Sequence, residues 1–202
     1  FNSPFGVTID SSGNIYVADR FNQRIQKFNS SGVYVSQFGS YGSGDGQFNA
    51  PRGITIDSSG DIYVVDANNS RIQKFNSSGV YVSQFGTAGS GDGGLSSPYS
   101  IAVNSSGDIY VGDSGNVRIQ KFNSSGVYVS QFGTAGSGNG QFSTLRGIAL
   151  NNSGNIYAVD LSNHRIQILS DISDTTAPVI SQTTLVTTPT NDTTPNYTFT
   201  TD

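Results

Sequence analysis

Short runs of apolar and β-branched residues alternate with turn-forming residues along most of the chain. In the first 47 residues these runs are separated by Gly, Asn and Ser, and they read GVTID (6–10), IYVAD (15–19), RIQKF (24–28) and VYVSQFG (33–39). Runs of this kind predict four short strands, and no segment shows a helical period. The hydrophobic pattern therefore predicts an all-β protein.

The same pattern recurs every 47 residues without insertion or deletion. RIQKFNSSGVYVSQFG occurs unchanged at 24–39, 71–86 and 118–133. The four copies start at Phe1, Phe48, Leu95 and Phe142. Four antiparallel strands in a repeated unit predict the blade of a β-propeller. Strands such as IYVAD are apolar on both faces, so each blade has to be covered by its neighbours.

The stretch SPFGVTIDSSGNIYVADRFNQRIQKFNSSG (3–32) resembles the NHL repeat through its Pro-x-Gly lead-in, its GNIYVAD core and its N-x-RIQ stretch. The resemblance covers residues 1 to about 170, with Ser100 in place of Gly and Leu145 in place of Pro. It implies a β-propeller. NHL propellers commonly have six blades, so four copies are expected to form part of a larger ring, with self-association through the open edges as one consequence.

The fourth copy loses the pattern after Leu169, so its fourth strand has to come from downstream or from sequence before Phe1. Residues 171–202 are rich in Thr and Pro. They resemble the start of a bacterial Ig-like module, and a Thr/Pro-rich linker is the alternative. A propeller followed by Ig-like modules implies a secreted or cell-surface protein.

Charge and composition narrow the function. The net charge of −4 argues against a nucleic-acid partner, which usually meets a basic surface. No apolar run is long enough to cross a membrane. The acidic loops 43–48 and 57–61 lack the Asp spacing of a calcium site and are interpreted as turns. His164 is the only His, so no metal, no cofactor and no enzymatic activity is expected, although a propeller enzyme whose channel residues lie in further blades is an alternative.

An Asp and an Arg five positions apart recur in every copy. A catalytic group has no reason to appear four times at equivalent positions, so we interpret the pairs as ion pairs that hold the turn between the second and third strands. The eight structural residues are Asp19, Arg24, Asp66, Arg71, Asp113, Arg118, Asp160 and Arg165.

The copies differ mainly in two stretches. One is the lead-in to each blade, at 2–5, 49–52, 96–99 and 143–146. The other is the loop between the second and third strands, at 20–23, 67–70, 114–117 and 161–164. Antiparallel strands alternate in direction, so both stretches are expected at one end of the sheets. The predicted binding face consists of Phe5, Arg20, Phe21, Arg52, Asn68, Asn69, Tyr99, Asn116, Arg146, Leu161 and His164. Its mixture of Arg, aromatic residues and Asn favours a scaffold that binds a protein, peptide or glycan. A structural spacer or adhesin stalk is the alternative.

Overall fold

The computed structural model describes residues 1–170 and 182–185. They form an all-β propeller of four antiparallel four-stranded sheets, one for each repeat. The strands of blade one are Pro4–Ile9, Ile15–Asp19, Arg24–Phe28 and Tyr34–Phe38. Those of blade two are Pro51–Ile56, Ile62–Asp66, Arg71–Phe75 and Tyr81–Phe85. Blade three contains Ser100–Val103, Ile109–Asp113, Arg118–Phe122 and Tyr128–Phe132.

Blade four takes its last strand from downstream sequence. Its first three strands are Leu145–Leu150, Ile156–Asp160 and Arg165–Leu169. The fourth, Gln182–Leu185, pairs antiparallel with the third. Of the two sources that the sequence left open, the structure uses the downstream one. The remainder of 171–202, with the predicted Ig-like start, lies outside the described residues.

Short connections join the strands and the blades. A single 3-10 turn links the second and third strands of each blade, at Arg20–Asn22, Ala67–Asn69, Ser114–Asn116 and Leu161–Asn163. The turns between first and second strands are closed by a side chain. In blade two, Asp57 Oδ1 accepts hydrogen bonds from the backbone N–H groups of Ser59 and Asp61, both at 2.9 Å. The DSSGD loop thus uses its carboxylate to form a turn.

Apolar cores lie between successive blades. Tyr16 and Ile25 of blade one pack with Ile54 of blade two, and equivalent clusters join blades two and three and blades three and four. Val7 lies on the face of blade one that has no neighbouring blade, and it is 64% exposed. Ile54, at the equivalent position of blade two, is 6% exposed. Among the described residues no corresponding core joins blade four to blade one. Self-association through these end faces stays a prediction.

The innermost strands approach each other closely where the Pro-x-Gly lead-in enters each blade. A Cβ at Gly6 would overlap the carbonyl oxygen of Arg52, and a Cβ at Gly53 would lie 3.0 Å from the carbonyl oxygen of Tyr99. A side chain is therefore excluded at Gly6 and would be tightly packed at Gly53, whereas a Cβ at the equivalent Gly147 of blade four would lie in ordinary contact, 3.4 Å from Val159 Cγ2. Blade three has Ser100 there, and it pairs with Gly112, where the other blades have Ala or Val. The missing side chain of Gly112 makes room for the hydroxyl of Ser100.

One buried carboxylate holds several parts of each blade. In blade two, Asp66 Oδ1 accepts a hydrogen bond from the backbone N–H of Asn49 at 2.7 Å. Its Oδ2 accepts from Asn69 Nδ2 and Arg71 Nε, both at 2.8 Å, and from Gln73 Nε2 at 3.2 Å. The carboxylate therefore joins the lead-in, the 3-10 turn and the third strand.

The same arginine and glutamine also bind the linker that arrives from the preceding blade. Arg71 Nη2 donates to the carbonyl oxygens of Gly44 at 2.8 Å and Gln47 at 2.9 Å. The side-chain amide of Gln73 donates to Gln47 O and accepts from Gly46 N–H. The Asp–Arg pairs repeat as Asp19–Arg24, Asp113–Arg118 and Asp160–Arg165 at 2.9–3.0 Å.

The network changes the titration of its carboxylates. Burial raises the pKa of Asp19, but hydrogen bonds from the Asn2 backbone, Asn22 and Arg24 outweigh that effect, so the pKa lies below its ordinary value. The pKa of Asp160 is lowered in the same way, with burial opposed by Asn163, the Ser143 backbone and Arg165.

The free energy of unfolding is expected to fall as the pH drops below about 4, the pKa range of Asp in unfolded chains. A carboxyl whose pKa is lowered by folding stabilises the fold above its unfolded-state pKa, and this is lost as the pH falls through the folded-state pKa. Urea denaturation from about pH 6 to about pH 2 measures the effect. A midpoint that stays constant over this range would contradict it, and Asp19→Asn should reduce the pH dependence.

Gly112→Ala is expected to destabilise the chain by about 1–3 kcal/mol, because the new methyl group overlaps Ser100 Oγ. Adding Ser100→Gly removes the overlap and places at 100 and 112 the residues that blade one has at the equivalent positions, Gly6 and Ala18. The double variant should therefore recover most of the lost stability. Free energies of unfolding from urea titrations test this, and a double variant no more stable than Gly112→Ala would show that the overlap is not the cause.

Candidate binding face

The two variable stretches meet at one end of the sheets. In every blade, a backbone N–H in the loop between the second and third strands donates to a carbonyl oxygen of the lead-in. The pairs are Phe21 to Asn2 at 3.1 Å, Asn68 to Asn49 at 3.0 Å, Gly115 to Ser96 at 2.8 Å and Leu161 to Thr144 at 2.8 Å. We call this end of the propeller the loop face.

One position of the lead-in, repeated at 47-residue spacing, forms a cluster on the loop face. It holds Phe5, Arg52, Tyr99 and Arg146 in the four blades. The guanidinium carbons of Arg52 and Arg146 lie over the Tyr99 ring, 4.1 and 4.2 Å from its centroid. Phe5 meets the same ring edge to face, with centroids 5.0 Å apart. Cation–π and edge-to-face contacts are favourable at these distances.

The cluster concentrates positive charge. Arg52 is only 8% exposed, and burial together with the nearby charges of Arg20 and Arg146 lowers its pKa despite the opposing influence of Tyr99. It donates one long hydrogen bond, 3.5 Å from Nη1 to the carbonyl oxygen of Pro98. The buried Nε atoms of Arg20 and Arg52 have no hydrogen-bond partner in the described part of the chain. We call Phe5, Arg20, Arg52, Tyr99 and Arg146 the arginine cluster.

The other predicted face residues divide into two groups. Phe21, Asn68, Leu161 and His164 are exposed on the rim. His164 follows its 3-10 turn in the left-handed conformation, with φ of 52°. Asn69 and Asn116 instead place their amides in the Asp network, donating to Asp66 and Asp113 and to the linker carbonyls of Gly42 and Gly89. These two asparagines hold the blades together, and Arg52 is buried rather than displayed.

A shallow polar depression of about 490 Å³ lies on the loop face between blades two and three. Its lining includes Asn68, Ser70, Ser97 and Asn116. Backbone and small polar groups dominate it, so it offers hydrogen bonds but little apolar contact.

The described residues contain no group of three or more His, Cys, Asp or Glu side chains placed to hold a metal ion. In the same residues no helix is long and apolar enough to cross a membrane.

The sequence predicts all members of the arginine cluster as parts of one face, but not that Phe5, Arg52 and Arg146 contact the Tyr99 ring. The available signal was the shared position of Phe5, Arg52, Tyr99 and Arg146 in the 47-residue repeat. Equivalent positions on the innermost strands of adjacent blades lie side by side around the axis, so their side chains meet.

The architecture agrees with that of known proteins. The chain resembles a streptogramin B lyase structure, with 20% identity, a TM-score of 0.67 and coverage of 91% of this chain and 54% of that one. A catalytically inactive virginiamycin B lyase from Staphylococcus aureus with quinupristin is 19% identical, with a TM-score of 0.69. The match covers 94% of this chain and 57% of that one. A chain of a nidogen/laminin complex is 20% identical, with a TM-score of 0.65. The match covers 84% of this chain and 61% of that one. The chain thus spans little more than half the length of these proteins, and at this identity the likeness concerns the fold.

The curated proteins contain no match to this sequence. A family model does match, and its description is the NHL repeat. The matched residues are 1–28, 48–75, 95–122 and 142–169, which together make up just over half of the chain. The chain therefore belongs to the NHL-repeat family.

Proposed function

We propose that this chain is a non-catalytic scaffold that binds a protein, peptide or glycan through its loop face. The observation that carries the proposal is the convergence of repeat-variable residues on one end of the propeller. There, Phe5 meets the Tyr99 ring edge to face and Arg146 lies over the same ring, with Phe21 exposed nearby. Aromatic and Arg side chains dominate the energetics of protein recognition.

The ion pairs formed by six of the aspartates support a non-catalytic role. General acids and bases need a titratable group that can reach a substrate. Asp19, Asp66, Asp113 and Asp160 are buried, and each is bound by its own Arg. Asp61 and Asp108 pair with lysines on the neighbouring strands.

The similar propellers are compatible with a binding function, but they include an enzyme as well. One of them is part of a nidogen/laminin complex, a protein–protein assembly, and another is a lyase. We therefore base the proposal on the loop face and not on the fold, which hosts both kinds of function. We also propose a secreted or cell-surface location, supported by the resemblance of DTTAPVI (174–180) and TNDTTPNYTFT (190–200), on either side of the strand Gln182–Leu185, to the opening strands of bacterial Ig-like modules.

Panning a phage-displayed random peptide library on the whole chain tests the proposal. Selected peptides should lose at least about tenfold in affinity for a Phe5→Ala/Phe21→Ala variant, because two exposed rings of the loop face are removed. Val33→Ala/Val80→Ala is the matched control. It removes two exposed apolar side chains at the opposite end of the sheets and should leave the affinity unchanged.

Thermal unfolding of both variants checks that the fold is intact. If the selected peptides bind the two variants equally well, or if no peptide is enriched, the loop face is not a recognition surface.

A further inference from the structure

The seven arginines of the chain fall into two sets of different chemistry. Four of them, Arg24, Arg71, Arg118 and Arg165, bind the buried aspartates of their blades. The remaining three are Arg20, Arg52 and Arg146, and all three belong to the arginine cluster. None of these three forms an ion pair within the described residues.

The three guanidinium groups lie near one another, and none is paired with a carboxylate of the described residues. Their positive charges are therefore not neutralised locally. Arg52 and Arg146 share one tyrosine ring, so their guanidinium carbons lie no farther apart than the sum of 4.1 and 4.2 Å. Like charges at this spacing repel each other, most strongly where burial limits solvent screening. A bound anion would relieve that repulsion.

The available donors match a carboxylate. A guanidinium offers five N–H groups in a planar fork that can bind both oxygens of a carboxylate. Arg52, which is more than nine-tenths buried, has an Nε atom without a partner, and Arg20 has another. Both Nε atoms are covered by protein atoms, so an incoming carboxylate would be bound by the outer N–H groups of the partly exposed Arg20 and Arg146.

The surroundings favour a peptide over a nucleic acid. The chain carries a net charge of −4, whereas a nucleic acid partner needs a broad basic surface to release counterions along its backbone. The cations are accompanied by apolar aromatic surface, because Phe5 and Phe21 are exposed beside them. A carboxylate next to a large apolar side chain would meet both features.

We propose that the arginine cluster is a carboxylate-binding site that recognises an acidic peptide segment, with an Asp or Glu next to a Phe or Leu. The proposal rests on the proposed function and names the chemistry of its partner. The carboxylate would bind the partly exposed guanidiniums of Arg20 and Arg146, with the buried Arg52 adding its positive charge beneath them. The apolar neighbour would pack on Phe5 and Phe21.

Fluorescence anisotropy with two dye-labelled peptide pools tests the proposal on the whole chain. One pool places Asp or Glu beside Phe or Leu, and the other replaces these acids by Asn or Gln. The acidic pool should bind, and Arg146→Gln should weaken its binding at least about tenfold, the expected loss of a charge-assisted hydrogen bond. Lys27→Gln is the control, since it makes the same charge change beside Tyr16. Circular dichroism checks folding, and Arg20→Gln replaces Arg146→Gln if the latter unfolds.

Three results would overturn the proposal. The two pools bind equally well, the acidic pool does not bind, or poly(U) binds more tightly than the acidic pool with the same sensitivity to Arg146→Gln. If the acidic pool fails while phage-selected peptides still depend on Phe5 and Phe21, the loop face remains a recognition surface and only its carboxylate chemistry is refuted. If neither binds, both proposals fall.

Discussion

Each blade of this propeller depends on a buried aspartate carboxylate surrounded by hydrogen-bond donors. A charge in the protein interior is strongly unfavourable unless its oxygens are saturated. Asp66 meets this condition with donors from the lead-in, the 3-10 turn and the third strand. Because Arg71 and Gln73 extend the network to the incoming linker, the carboxylate positions both the blade and its connection to the preceding one. The repeated sixteen-residue segment contains this arginine and glutamine, so the network accounts for two of the positions that the copies share.

The same network leaves other positions free to vary. The network holds the loops through backbone groups and through side chains that point into the propeller. The remaining loop residues make few contacts that the fold needs. These residues lie at one end of the sheets, where the lead-in and the loop between the second and third strands share a backbone hydrogen bond in every blade. A chain with a net charge of −4 thereby places three arginines and two aromatic rings in one group. The carboxylate network thus keeps its own residues the same in every repeat and allows the residues of the loop face to differ.

Much of the fold could be predicted because it repeats. The strands, the blade and the Asp–Arg pairs follow from apolar runs and opposite charges at fixed spacing. The interactions that escaped prediction depend on neighbouring blades. The amides of Asn69 and Asn116 resemble surface groups in the sequence, yet they donate to buried carboxylates. Arg52 is buried by the adjacent innermost strands, and Ser100 fits only because Gly112, twelve residues later, has no side chain. The Thr-rich composition of residues 171–202 concealed the strand Gln182–Leu185, which completes blade four.

Amide hydrogen exchange at Asn49 tests the central role of the buried carboxylates most directly. Its N–H lies in an irregular lead-in and donates to Asp66 Oδ1, so the account predicts protection close to that of the strand amides in blade two. Asp66→Ala, which removes both carboxylate oxygens, should abolish this protection while the corresponding amide of Ser96, which donates to Asp113, keeps its own. If Asn49 exchanges in the native protein as fast as an unstructured peptide, the carboxylate does not hold the lead-in, and the account of how the blades are connected is wrong.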